Sequence, residues 1–315
     1  MISNSLKSLI AFVVLSFFIL MLIYFYSGNS GGARSQQEAP VNITVDTTKQ
    51  IQSKRTESVL RSFKLNSNDA ISFPLLPILR EISGLAVTPN GDIFTHNDED
   101  GIIFKLDPLD GSVLSTFEMT VNGKRVQDDL EGIAIAEENM FVINSNGKIY
   151  MFEPVGNGEK ANCRIYPTSL AVDWEIEGLA YDPTIRSLVI ISKNPLTAKA
   201  SGKVGIFFWS LDKRALLLED TIYIPIHQLA DKIGQKKFQP SGIERHPESG
   251  HYLIIAARQH SIAEITPQGE LLAIQKLAGK LHHQMEGITV LTDKGLLISD
   301  EGGNKSGRLT FYPLN

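Results

Sequence analysis

Apolar residues recur through most of the chain in short runs bounded by turn residues, and the runs come in a repeating order. The second repeat shows the unit: Glu131-Gly-Ile-Ala-Ile-Ala, then Met140-Phe-Val-Ile-Asn144, then Gly147-Lys-Ile-Tyr-Met-Phe152. Runs of four to six residues rich in β-branched and aromatic types predict strands rather than helices. Asn90-Gly91, Asp110-Gly111 and Asn146-Gly147 predict tight turns in which both central residues take positive φ. The first repeat supplies a fourth strand, Ser112 to Glu118.

Each repeat opens on one short phrase: Ser83-Gly84-Leu85, Glu131-Gly132-Ile133, Glu177-Gly178-Leu179, Ser241-Gly242-Ile243 and Glu286-Gly287-Ile288. The glycines lie 48, 46, 64 and 45 residues apart. A unit of about 45 residues holding several strands is the signature of a propeller blade. The pattern therefore predicts an all-β fold, a five-bladed β-propeller with four-stranded antiparallel blades, over residues 58–315. The last repeat carries only three strands, Ile288–Leu291, Gly295–Ser299 and Arg308–Tyr312. The strand-like segment Ser58–Leu65 is expected to supply the fourth and close the ring. The long third interval holds its surplus in Asn194–Lys203 and Ile224–Gln239. The second of these includes a short helical stretch, His227–Ile233. Such an insertion either borders a binding surface or is a plain surface loop.

The N-terminal region departs from this pattern. Residues 8–26 are 19 uncharged, mostly apolar positions, the length of a transmembrane helix. Tyr24, Phe25 and Tyr26 end the run as an interfacial belt, and Lys7 before it places residues 1–7 in the cytoplasm and the remainder outside. Residues 27–57 are rich in Gly, Ser, Gln, Thr and Asn and predict a flexible linker. Asn42-Ile43-Thr44 within it matches a glycosylation sequon.

Composition narrows the chemistry. A net charge of -5 and a pI near 5.8 give no basic field for nucleic acid. The single cysteine, Cys163, excludes an internal disulfide and reads as a small apolar filler. Trp174 and Trp209 are expected in the core or between blades. No Gly-x-Ser-x-Gly elbow is present, and the histidines follow no metal spacing. Of the adjacent pair His282-His283, at most one can face the channel.

Strand geometry points to one end of that channel. The start of the first strand and the end of the second lie at the same mouth. Reading both positions from each repeat gathers Glu131, Glu177, Glu286, Asp98, Asn144 and Asp300 there. Clustered carboxylates repel and raise one another's pKa unless neutralised. A divalent cation such as Ca²⁺ would suit those oxygen ligands. Lys193 and Arg258 are the alternative, as ion-pair partners. A third reading is architectural: glycine for close strand approach, glutamate as an acceptor of backbone amides.

Ile82-Ser-Gly-Leu-Ala86, Glu175-Ile-Glu-Gly-Leu-Ala-Tyr-Asp-Pro183, Gln239-Pro-Ser-Gly-Ile243 and Met285-Glu-Gly-Ile-Thr289 resemble phrases of the YjiK family of SdiA-regulated bacterial proteins. The resemblance covers about residues 59–315, together with the anchor and linker. It implies a five-bladed propeller tethered to the inner membrane of a Gram-negative bacterium, single-pass, facing the periplasm. The Glu-Gly strand starts also resemble those of six-bladed gluconolactonase-type propellers, whose channel metal is held by Glu, Asn and Asp. Two functions follow as expectations. One is a binding or scaffold module for a protein or small-molecule ligand, with or without the cation. The other is a metal-dependent hydrolase of lactones or esters.

Overall fold

A computed structural model describes residues 57–291 and 294–315. The expected cytoplasmic, transmembrane and linker segments lie outside the described residues, apart from Glu57 at the end of the linker. Among the described residues, no helix is long and apolar enough to cross a membrane.

The described chain is a five-bladed β-propeller of four-stranded antiparallel sheets, enlarged in blade three by a split outer edge and in blade one by Lys124–Arg125 and by Lys160–Asn162, which pairs parallel with Val113–Val121. The inner strands are Ile82–Val87, Leu130–Ala136, Trp174–Asp182, Gly242–Arg245 and Met285–Leu291, in blades one to five. Blades one to four run outward from the inner strand in sequence order, and blade five does so for its first three strands. Both faces of a blade pack against a neighbour, so the middle strands are mostly apolar and almost wholly buried. Tyr252–Ala256 and Ser261–Ile265 are buried at every position. Five apolar clusters fill the five seams between adjacent blades. Trp174 and Trp209 lie in the seam of blades two and three. Cys163 lies in the seam of blades one and two, where burial pushes its thiol up to about 12.

The ring closes as expected in kind, but through a different segment. The outer strand of blade five is Ile71–Pro74, paired antiparallel with Arg308–Pro313. The segment Ser58–Leu65 forms no strand. Val59–Ser62 is a turn of 3-10 helix, and Phe63 makes a single bridge to Leu314. The reason is spacing. Leu60 and Phe63 are three apart, the 3-10 period, and both enter the seam of blades four and five with Leu65. Ile71-Ser-Phe-Pro alternates, and its Pro74 sits on an edge strand, where a missing N–H breaks no ladder.

The tight turns also differ in detail. Gly91, Gly111 and Gly147 take positive φ, whereas Asn90, Asp110 and Asn146 do not. Gly91 N donates to Thr88 O at 2.9 Å, and Gly147 N to Asn144 O at 2.8 Å. These are ordinary turns ended by one left-handed glycine, so only the glycine needs that conformation.

The insertion of blade three has a packing role. Its outer edge is split into Ala215–Leu216 and Ile222–Pro225, both paired with Lys203–Ser210. The helix Ile226–Ala230 and a 3-10 turn Asp231–Ile233 follow, close to the expected position. Leu229, Ala230, Ile233 and Phe238 fill the seam of blades three and four. The chain then passes Gln239 and Pro240 into the inner strand of blade four.

Candidate functional site

The repeated glycines form a closed ring at the axis. A Cβ on Gly84 would lie 2.9 Å from Ile133 N, one on Gly132 2.6 Å from Leu179 N, and one on Gly178 3.1 Å from Gly242 Cα. One on Gly242 would lie 3.0 Å from Glu286 O, and one on Gly287 2.6 Å from Ser83 O. Each glycine thus abuts the inner strand of the next blade. Ser299 Oγ donates to Ser83 O at 2.8 Å and ties blade five to blade one at this level. The space left on the axis is about 10 Å³, room for at most one water. The channel is therefore closed, and its two mouths are separate.

At the mouth where the inner strands begin, three glutamates sit on β-bulges. Leu130 pairs with Asn144 but Gly132 with Ile143, leaving Glu131 extra. Ile176 pairs with Ser192 and Gly178 with Ile191, leaving Glu177 extra. Met285 pairs with Asp300 and Gly287 with Ser299, leaving Glu286 extra. A bulge releases its residue from the ladder and re-aims the side chain.

The bulges change the expected partners. Asn144 and Asp300 stand opposite Leu130 and Met285, not opposite the glutamates. Asn144 Oδ1 instead accepts the amide of Lys148 at 2.7 Å. Asp300 accepts the amide of Gln284 at 3.2 Å and contacts His282 Nδ1 at 2.8 Å. His282 Nε2 in turn lies 2.6 Å from the Tyr312 hydroxyl. That buried chain fixes the entry to blade five. Asp98 remains near the mouth, beside Glu81 and Glu301. Of the six candidate ligands, Glu131, Glu177 and Glu286 come together, Asp98 borders them, and Asn144 and Asp300 are engaged elsewhere. Among the described residues, no group of three or more His, Cys, Asp or Glu side chains converges with metal-ligand geometry.

Lys193 is the cation among these carboxylates. Its Nζ donates to Glu177 Oε1 at 2.5 Å and lies 3.8 Å from Glu175 Oε1. Burial opposes its charge, but Glu177 and Glu175 outweigh that and raise its pKa. One ammonium does not neutralise the cluster. Burial, then Glu177, Asp129 and Glu286, push Glu131 up to about 10. Burial lifts Glu177 to about 7 in spite of Lys193. Glu286 is raised well above the carboxylate range by burial and by Glu177 and Glu301. Burial together with Asp98 and Glu81 lifts Glu301 to about 7. Asp98 reaches about 6 through burial, Glu81 and Glu99, and its Oδ1 is buried with no hydrogen-bond partner.

Beside Glu286, a pocket of about 200 Å³ opens toward blades three and four. Lys193, Gln239, Arg258, His260 and His283 line it. Sequence reasoning had singled out Lys193 and Arg258. It missed Glu301, Gln239 and His260. Gln239 was visible only as the first residue of the phrase that opens blade four.

A larger cavity, about 730 Å³, opens at the opposite ends of blades three and four. Its central charges are paired. Asp182 is 2.9 Å from Arg245 Nε and accepts the Tyr252 hydroxyl at 2.8 Å and the Thr184 hydroxyl at 2.6 Å. The glutamate mouth carries unbalanced charge, which makes it the stronger candidate site.

No protein-family model matches this chain, and no curated protein matches it. Solved propellers do. Glutaminyl cyclase from Myxococcus xanthus superposes with a TM-score of 0.52 at 14% identity, over 78% of this chain and 97% of that one. A luciferin-regenerating enzyme gives 0.48 at 10% identity, over 78% and 95%. The PQQ-bound aldose sugar dehydrogenase of Streptomyces coelicolor gives 0.46 at 11% identity, over 78% and 98%. Similarity at this level shows a shared propeller fold and carries no chemistry across.

Proposed function

We propose that this chain is a membrane-anchored, periplasm-facing propeller of the YjiK type that acts as a binding module, with its ligand seated at the glutamate mouth. The observation that carries this reading is the placement of Glu131, Glu177 and Glu286 on three bulges around a single lysine. Carboxylates crowded in this way hold protons or take up a cation. The channel beneath them is closed, so the mouth is a dead-end site and not a passage. The ligand is positively charged over at least part of its surface. A divalent cation such as Ca²⁺ is one such ligand. The carboxylates as placed do not make a complete coordination set, so an ion there would keep water or ligand oxygens in its shell.

A second reading, hydrolysis of a lactone or ester, has one observation in its favour. Glu177 and Glu301 are held near 7, where a carboxylate can serve as general base. It needs a group that polarises the carbonyl, and Lys193 is the available cation.

The test is a set of thermal melts on the full chain in detergent, with EDTA, Ca²⁺, Mg²⁺ and ethylamine. Binding to the folded state raises the melting temperature by mass action. A rise with any of the three cations that disappears in the Glu131→Gln, Glu286→Gln double variant supports a cation-accepting mouth. No shift with any of them from pH 6 to pH 10, the span from the raised Asp98 to the raised Glu131, removes it.

A further inference from the structure

The pocket beside Glu286 contains more than negative charge. Lys193 is occupied by Glu177 at 2.5 Å. With that pair set aside, two charged side chains remain on the pocket wall. Arg258 is exposed at the rim, and Glu286 lies half-buried at the inner end. Neither forms an ion pair among the described residues, and they do not pair with each other. Between and around them stand further hydrogen-bonding groups: Gln239, Gln284, Ser241 and the rings of His260 and His283. His260 Nδ1 is buried without a partner.

We propose that this pocket binds a small zwitterion, an α-amino acid or a dipeptide. The ligand's ammonium lies against Glu286, facing Glu131, and its carboxylate lies against Arg258. The inference rests on the reading of the mouth as a cation-accepting site and specifies the remainder of the ligand. Arg presents a planar fork that matches a carboxylate bidentately. The Lys193–Glu177 pair stays intact. A volume of about 200 Å³ admits a free amino acid or a short peptide and excludes a folded chain. The His260 ring nitrogen is left to read the groups between the charges, since the Gln239 and Gln284 amides already donate to Asn194 and Glu301.

Calorimetry on the full chain in detergent separates the possibilities, with L-alanine, glycylglycine, ethylamine and propionate as probes. The expected result is that alanine or glycylglycine binds at least about tenfold more tightly than ethylamine or propionate. Arg258→Ala, at an exposed position, should bring the zwitterion down to the level of ethylamine. Glu286→Gln should weaken zwitterion and ethylamine together. Binding of ethylamine as tight as that of alanine, with Arg258→Ala silent, overturns the zwitterion and leaves the cation-accepting mouth standing. Equal binding of propionate and alanine also overturns it, in favour of an anion site. No binding of any probe or of Ca²⁺ overturns both.

Discussion

Glu264, on the third strand of blade four, accepts a hydrogen bond from Ser58 Oγ at 2.6 Å across 206 residues of sequence. The same carboxylate accepts the amides of Val59 at 2.9 Å and Leu60 at 3.2 Å, and lies 2.6 Å from His251 Nδ1. It is fully buried. One side chain thus holds the start of the propeller against a blade in its second half. Each donor stranded by Glu264→Ala costs about 1–3 kcal/mol. Denaturant melts should place Glu264→Ala well below the parent and Glu264→Gln between them. Deleting residues 1–66 removes the same contacts together with Leu60, Phe63 and Leu65 from the seam and should cost more than Glu264→Ala, and deleting through Leu75 also opens blade five and should be worse still. A Glu264→Ala protein as stable as the parent would show that the clamp contributes nothing.

Lys193→Met should leave Glu177 unpaired at 2% exposure. Removing one partner of a buried pair costs about 3–5 kcal/mol, and less here because Lys193 is partly exposed and Glu177 can take up a proton. The double variant Lys193→Met, Glu177→Gln should regain part of the loss. Urea midpoints for the two single variants and the double give the coupling directly. Additive losses would mean that the pair is not an energetic unit.

Stability should depend on pH through the mouth. Asp98, Glu177, Glu301 and Glu131 are raised to about 6, 7, 7 and 10, and Glu286 is also raised. A group raised in the folded state binds more protons folded than unfolded, so its contribution is present below the ordinary carboxylate range and is lost as pH rises. The ligand-free protein should lose stability from about pH 4.5 to pH 7 and continue to fall toward pH 10. Glu131→Gln should flatten the upper part of that slope. Melting temperatures at pH 5, 7 and 9 check it, in buffers chosen around the usual carboxylate value of about 4.3, and a flat profile contradicts the crowding.

The glycine ring should rank by clearance. A Cβ at Gly132 or Gly287 meets the next blade's backbone at 2.6 Å, so either alanine forces strands apart. Such overpacking costs about 1–3 kcal/mol or more. Gly178→Ala, with its nearest contact at 3.0 Å on the Ile191 side chain, should cost less. Gly91→Ala meets nothing within 4 Å and should pay only for its φ of 87°. Thermal melts that reverse this order would contradict close approach as the reason for glycine at the axis.

The blades were legible because each inner strand must carry glycine at the axis, and that need recurs in every repeat. The three glutamates were legible for the same reason, standing immediately before a fixed glycine. Their partners were not. A bulge shifts register by one residue without any change of composition, so Asn144 and Asp300 looked like neighbours of glutamates they do not face. Blade three shows the same limit: its helix was readable from His227–Ile233, but its placement in a seam depended on contacts with blade four. Glu264 gave no signal, since an acidic residue in an apolar strand acquires its role only when Ser58 and His251 arrive.

Ser72 and Thr310, facing each other in blade five at 2.8 Å, are 238 residues apart in sequence. The earliest propeller strand to be made is thus among the last to find its partner. During synthesis Ile71–Pro74 waits, and four blades stand as an open arc with unpaired edges at both ends. Closing so long a loop makes the final step slow, and the exposed edges invite pairing with other chains until it happens. Yield on refolding should therefore fall steeply with protein concentration, even though the finished ring has no free edge at its axis.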